Sequence, residues 1–146
     1  MGRFFHDHKV SDALKLLCID NDPANRRLIA EYANILNWSV CLPVDLASAK
    51  SLAREHTFNA IVMDRDLGAD VVGTDIMREL RDGDGPNADT PFLMCTGRQW
   101  EEIAAEVQAL NLGAYLQKPV SLARFEEAIL SILDEQVFYP SNDSVC

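Results

Sequence analysis

The chain has 146 residues, 48% of them hydrophobic and 25% charged, enough for one compact domain with its own core. Its 23 acids and 13 bases give a formal net charge of −10 with no basic cluster, which argues against a surface that grips nucleic-acid phosphates. No apolar run is long enough to cross a bilayer, and MGRFFHDHKVSD carries acids and histidines where a signal peptide needs apolar residues, so the expected location is cytoplasmic.

Taken in order, short apolar runs alternate with segments of helical period. Residues 16–19 (LLCI) read as a buried strand that ends at Asp20. Residues 23–36 place Leu28, Ile29, Tyr32 and Leu36 on one helical face, with Asp22 as the cap and Pro23 in the first turn. A second strand is expected over 38–42 and a second helix over 46–55. A third strand, residues 60–63 (AIVM), ends at Asp64, and a third helix covers 74–81. Residues 82–90 are rich in Gly, Asp, Asn and Pro and read as a loop. A fourth strand over 92–95 leads to Thr96-Gly97. The fourth helix, 101–112, carries Ile103, Val107 and Leu110 on one side. A fifth strand over 114–117 ends at Lys118-Pro119. Ser121 then caps a last helix whose apolar face is Leu122, Phe125, Ile129, Ile132 and Leu133.

Strand followed by helix, five times over, implies an α/β fold: a doubly wound parallel sheet with helices on both faces. Residues 1–13 and 137–146 are expected to be tails around a domain spanning 14–136. His6 and His8 belong to the first tail and have no third ligand nearby. The four cysteines, Cys18, Cys41, Cys95 and Cys146, have neither zinc-ligand nor CxxC spacing. Cys18 and Cys95 lie inside apolar runs and read as buried thiols.

Parallel sheets of this kind bind ligands beyond the carboxyl ends of their strands. There the sequence puts Asp20-Asn21-Asp22, Asp64-Arg65-Asp66, Thr96-Gly97 and Lys118-Pro119. An aspartate after one strand is usually a cap or a turn residue; four such groups at one edge point to shared chemistry. Clustered carboxylates need a cation, and oxygen ligands without His or Cys favour Mg²⁺. Phosphoryl transfer to Asp64 fits the set. The metal and Lys118 would neutralise the incoming group, Thr96 would hydrogen-bond it, and Gly97 would leave room for it.

The motifs LLCIDND, IVMDRDLG, PFLMCTG and YLQKP, in this order, resemble the receiver domains of two-component response regulators, the family of the chemotaxis receivers. The resemblance runs from about residue 15 to residue 133. It implies a flavodoxin-like strand order 2-1-3-4-5, with Asp64 as phosphoacceptor and Thr96 and Lys118 as its catalytic partners. It implies a Mg²⁺ site of Asp20, Asn21, Asp64 and the Asp66 carbonyl. Thr96 and Tyr115 become the switch pair, with Tyr115 moving inward from a more exposed position when Asp64 is modified. The expected partners are a histidine kinase or histidine phosphotransfer protein and a downstream protein target, with no nucleic acid and no membrane, for a monomer or weak dimer. Transfer to Asp64 and hydrolysis from it would be self-catalysed. With no second domain in the sequence, output is expected through protein contacts or by passing the phosphoryl group onward.

Three departures stand out. Asn21 replaces the second acid of the usual pair, which costs the metal one charge. Gly68 stands where proline is common, and the loop before Gly73 is one residue longer. PFLMCTG, with DLG downstream of Asp64, is similar to a subgroup of single-domain regulators that carry PFxFATG. Two alternatives remain at this point. One is a pseudo-receiver, an interaction module with little or no phosphorylation. The other is a hydrolase of the aspartyl-phosphate type, in which Asp66 would act as acid and base. Trp100 is either a half-buried core residue or part of a partner surface.

Overall fold

Alternation along the strands decides how the layers form. The computed structural model describes residues 14–140; His6, His8, Cys146 and the two outer tails, 1–13 and 141–146, lie outside them. Five strands, β1 (Lys15–Ile19), β2 (Ser39–Cys41), β3 (Ala60–Met63), β4 (Phe92–Thr96) and β5 (Ala114–Gln117), make one sheet in the order β2-β1-β3-β4-β5. Every pairing is parallel, with Cys18 opposite Val62, Val62 opposite Leu93 and Leu93 opposite Ala114. Since successive side chains point to opposite faces, Leu16, Cys18, Val62, Leu93, Cys95 and Leu116 fill one core. Leu17, Ile19, Ile61, Met63, Phe92 and Met94 fill the other. Both faces are buried, so the strands read as continuous apolar runs rather than alternating ones.

Five helices cover the two faces: α1 (Pro23–Leu36), α2 (Leu46–Glu55), α3 (Gly73–Arg81), α4 (Trp100–Ala109) and α5 (Leu122–Leu133). α1 and α5 supply Ile29, Ala33, Phe125, Ala128 and Ile129 to the first core, and α2, α3 and α4 supply Ala49, Ala53, Met77, Ile103 and Val107 to the second. Burying a side chain such as Phe125 or Met77 is worth about 1.5–3 kcal/mol. The caps follow the sequence signals. Asp22 accepts from the Ala24 amide (3.0 Å), Asp45 from Ser48 (2.8 Å) and Ser121 from Arg124 (3.2 Å).

The fold agrees with the sequence expectation, with shifts at element ends. β2 begins at Ser39 rather than at residue 38 because the Trp38 amide closes α1 on the Ala33 carbonyl (2.9 Å) and its indole packs near Phe125. α4 stops at Ala109 because Asn111 takes a left-handed conformation (φ 53°). The 82–90 loop is tied down by Asn87, 1% exposed, which donates to the Ala53 and His56 carbonyls and accepts from the Phe58 amide. Residues 137–140, set apart as tail by the sequence, lie against β5: Phe138 forms a parallel bridge to Ala114. Cys18 and Cys95 are buried, free thiols. Burial pushes the Cys18 thiol up out of its ordinary range and the Cys95 thiol up to about 12.

Candidate functional site

The carboxyl ends of β1, β3, β4 and β5 bring Asp20, Asp64, Thr96 and Lys118 to one edge of the sheet. Lys118 is the hub. Its ammonium lies 3.0 Å from Asp20 Oδ2 and 2.8 Å from Asp64 Oδ2, with Asp22 at 4.0 Å. The Asp20 and Asp64 side chains are only 2% and 10% exposed, so each carboxylate needs this partner. Burial alone works against the Lys118 charge. The hydrogen bonds and charges of Asp64 and Asp20 outweigh it, and its pKa lies above the ordinary lysine value. The Lys118 amide also donates to the Thr96 carbonyl (2.7 Å), which joins the ends of β4 and β5.

Asp20 is held from every side. Its Oδ1 accepts from the Asp22 amide (2.9 Å), and its Oδ2 accepts from Asn25 Nδ2 (2.7 Å) as well as facing Lys118. The Arg26 guanidinium donates to its main-chain carbonyl (2.7 Å). Asn25 is a site residue that the sequence analysis missed. The available signal was a polar side chain in the apolar stripe of α1, spaced four residues from Ile29 and eight from Ala33, all three buried. Asp22 is committed to capping α1, as its position before Pro23 suggests.

The Asp66 side chain is engaged by two arginines. Its carboxylate takes two hydrogen bonds from Arg98 (2.7 and 3.2 Å) and one from Arg65 (3.0 Å). The Arg98 hydrogen bond holds the Asp66 carboxyl below the usual carboxylate range, so Asp66 is a poor acid for hydrolase chemistry. The Asp66 amide donates to Asp64 Oδ1 (3.3 Å). Asp66 and Val72 form an antiparallel bridge whose two bonds run from Leu67 to Val71 and from Gly73 to Arg65. The Asp66 carbonyl is therefore not used by that bridge.

The loop between them explains the glycine at residue 68. Gly68 has φ +87°, and Ala69 (47°) and Asp70 (63°) are also left-handed. Proline, fixed near −65°, cannot occupy residue 68 in this loop. A Cβ on Gly68 would also stand 2.8 Å from Asn21 Nδ2, so glycine leaves the Asn21 side chain its room.

Among the described residues, no three His, Cys, Asp or Glu side chains gather as a metal cluster. The Mg²⁺ set read from the sequence is of another kind: two carboxylates, one amide and one main-chain carbonyl. All four donors can be oxygens, which suits a hard cation. Asp20 is oriented by Asn25, the Asp66 carbonyl is left open by the bridge, and Asn21 has space over Gly68.

Thr96 is 1% exposed, and its hydroxyl accepts from the Arg98 amide (3.3 Å). Tyr115 corrects an expectation. It is already inward, 4% exposed, with its hydroxyl donating to the Arg98 carbonyl. Half-buried Trp100 packs against it, 5.2 Å from the Tyr115 ring, and the Tyr139 ring in turn lies 5.2 Å from Trp100. Arg98 is the second residue the sequence left unnoticed. It touches Asp66, Thr96 and Tyr115 at once, through side chain, amide and carbonyl, and nothing in residue type or spacing marks it.

Residues 16–130 match the profile of the response regulator receiver domain. The regulatory protein VirG of Agrobacterium fabrum is 33% identical over 112 residues, 75% of this chain and 42% of VirG. The chain thus spans less than half the length of the VirG proteins it matches. The polar-differentiation response regulator DivK of Brucella anthropi is 25% identical over 82% of this chain and 96% of its own length. Among solved structures, chemotaxis response regulator CheY4 of Vibrio cholerae superposes with a TM-score of 0.69 at 22% identity, over 84% of this chain and 98% of CheY4. The receiver domain of a sensor histidine kinase from Pseudomonas aeruginosa, with a magnesium ion coordinated in its active-site cleft, gives 0.73 at 21% identity over 84% and 98%.

Proposed function

Because the chain belongs to the response regulator receiver domain family, we propose that Asp64 accepts a phosphoryl group from a histidine kinase or histidine phosphotransfer protein, in a Mg²⁺-dependent reaction, and signals to a downstream protein. The observation that carries this reading is Lys118 bridging the buried carboxylates of Asp20 and Asp64 at 3.0 and 2.8 Å. A carboxylate oxygen of Asp64 attacks phosphorus, the bond from phosphorus to the donor's leaving atom breaks, and that atom keeps the electron pair. Asp20, Asn21, Asp64 and the Asp66 carbonyl would hold Mg²⁺, which supplies positive charge against the transferring oxygens. Lys118 swings its charge from the free carboxylate to a phosphoryl oxygen, and the Thr96 hydroxyl donates to another. Lys118 and Thr96 act on charge that develops during transfer, so they favour the transition state over the ground state.

Labelling with a small phosphodonor and Mg²⁺ tests this. Mass spectrometry should find one added phosphate on the protein and none on Asp64→Ala. Phosphate retained on an Asp64→Asn variant would remove Asp64 as the acceptor.

The metal site carries its own prediction. Asn21→Asp adds one full charge beside a divalent cation, and Mg²⁺ affinity should rise by about ten-fold. Calorimetric titration of both proteins measures it. Equal or weaker affinity in the variant would show that residue 21 does not touch the metal.

A further inference from the structure

β5 is an edge strand, and an edge strand presents unpaired N–H and C=O groups. Here the chain covers that edge itself. After α5 the backbone reverses at Glu135 (φ 59°), with the Gln136 amide bonded to the Ser131 carbonyl (2.9 Å). It then runs parallel to β5. The Phe138 amide donates to the Gly113 carbonyl and the Tyr115 amide to the Phe138 carbonyl, both at 3.0 Å. Successive side chains take opposite faces, as a strand requires. Phe138 packs on the first core beneath the Arg124 guanidinium (4.9 Å), and Tyr139 packs on the second core. The Tyr139 hydroxyl donates to the Leu112 carbonyl, and its ring lies 5.2 Å from Trp100.

Contacts continue from there to the phosphoacceptor. Trp100 touches Tyr115, whose hydroxyl bonds the Arg98 carbonyl. The Arg98 guanidinium is held by Asp66, and the Asp66 amide bonds Asp64. The Arg98 amide also bonds the Thr96 hydroxyl. Arg98 is thus fixed at three points, and one of them, Asp66, is bonded to Asp64.

We propose that residues 137–140 form an intrachain strap on the β5 edge, docked while Asp64 is unmodified and released when Asp64 carries a phosphoryl group. The proposal rests on the reading of Asp64 as phosphoacceptor. A phosphoryl group brings about 1.5–2 negative charges and new acceptor oxygens. A phosphoryl group is a stronger bidentate acceptor for the Arg98 fork than the Asp66 carboxylate. Thr96 turns its hydroxyl to the same group. Both attractions pull on residue 98, Tyr115 loses its acceptor, and the Trp100–Tyr139 contact beneath the strap loosens. Release bares the β5 edge and the cleft lined by Trp100, Tyr115, Pro119, Ser121 and Arg124, which Pro140 also borders. An undocked strap must in turn favour modification, because coupling between two sites is reciprocal.

The test uses the full chain with Mg²⁺ and beryllofluoride as phosphoryl mimic, followed by NMR. Binding of the mimic is read from shifts at Thr96 and Lys118, and strap docking from amide exchange at Phe138 and Tyr115. Exchange at both amides should speed up by about five-fold or more when the mimic is bound. Tyr139→Ala removes the stack and a hydrogen bond; Phe138→Pro removes the ladder donor from a different contact. Each should tighten mimic binding by about five-fold or more. A bound mimic with exchange unchanged within about two-fold, or wild-type affinity in both variants, would overturn the strap and leave the receiver reading intact. Failure of the wild-type protein to bind the mimic at saturating Mg²⁺ would overturn both.

Discussion

Lys118→Met is expected to lower stability by about 3 kcal/mol at pH 7, the lower end of the cost of breaking a buried ion pair, and to slow phosphoryl transfer to Asp64 severely. Methionine keeps the length and apolar stem but removes the charge between Asp20 and Asp64. Two carboxylates that are 2% and 10% exposed then face each other without a partner. In the wild-type protein the Lys118 pKa is raised above the ordinary 10.5, so its contribution is complete below pH 10.5 and is lost only as pH climbs through the higher folded value, a loss the variant cannot show. Urea unfolding at neutral and alkaline pH separates the two proteins. Mg²⁺ gives a second readout, since a cation between the carboxylates should restore part of the variant's stability. A variant as stable as wild type at pH 7, with no response to Mg²⁺, would mean that Lys118 does not balance this pair.

Much of this was legible because two periods dominate the sequence. Runs such as LLCI and AIVM are apolar at every position, which only a strand buried on both faces requires, and each ends on a polar residue at the sheet edge. Asp20, Asp64, Thr96 and Lys118 therefore fell together by topology alone. What stayed hidden depends on side-chain direction. Asn25 orients Asp20 from inside an apolar helical stripe, and Arg98 is an ordinary surface residue by type whose three partners come from β3, β4 and β5 or their ends. The segment after α5 was also hidden. Val-Phe-Tyr-Pro is too short for a periodicity argument, and its docking depends on an edge that exists only once the sheet has formed. The inward Tyr115 has the same origin, since Trp100 and Tyr139 reach it from distant parts of the chain.

Gly73→Ala should destabilise the protein by about 1–3 kcal/mol, the usual cost of overpacking, although the same change in a helix normally helps by roughly 0.4–1 kcal/mol. Gly73 opens α3, and its amide donates to the Arg65 carbonyl (2.6 Å). A Cβ there would stand 2.1 Å from the Asp64 carbonyl oxygen and 3.2 Å from the Asp64 carbonyl carbon. Both obstacles are backbone, so no side-chain rotation relieves them. Either α3 or the end of β3 must move, and β3 is held between β1 and β4. The strain therefore falls on the phosphoacceptor's own peptide unit. The substitution should slow labelling of Asp64 as well as lower the midpoint of denaturant unfolding. Gly85→Ala is the control. Its Cβ would meet nothing within 4 Å, so it should be neutral or slightly stabilising. If Gly73→Ala matched Gly85→Ala in both unfolding midpoint and labelling rate, the close approach of α3 to Asp64 would have no bearing on the site.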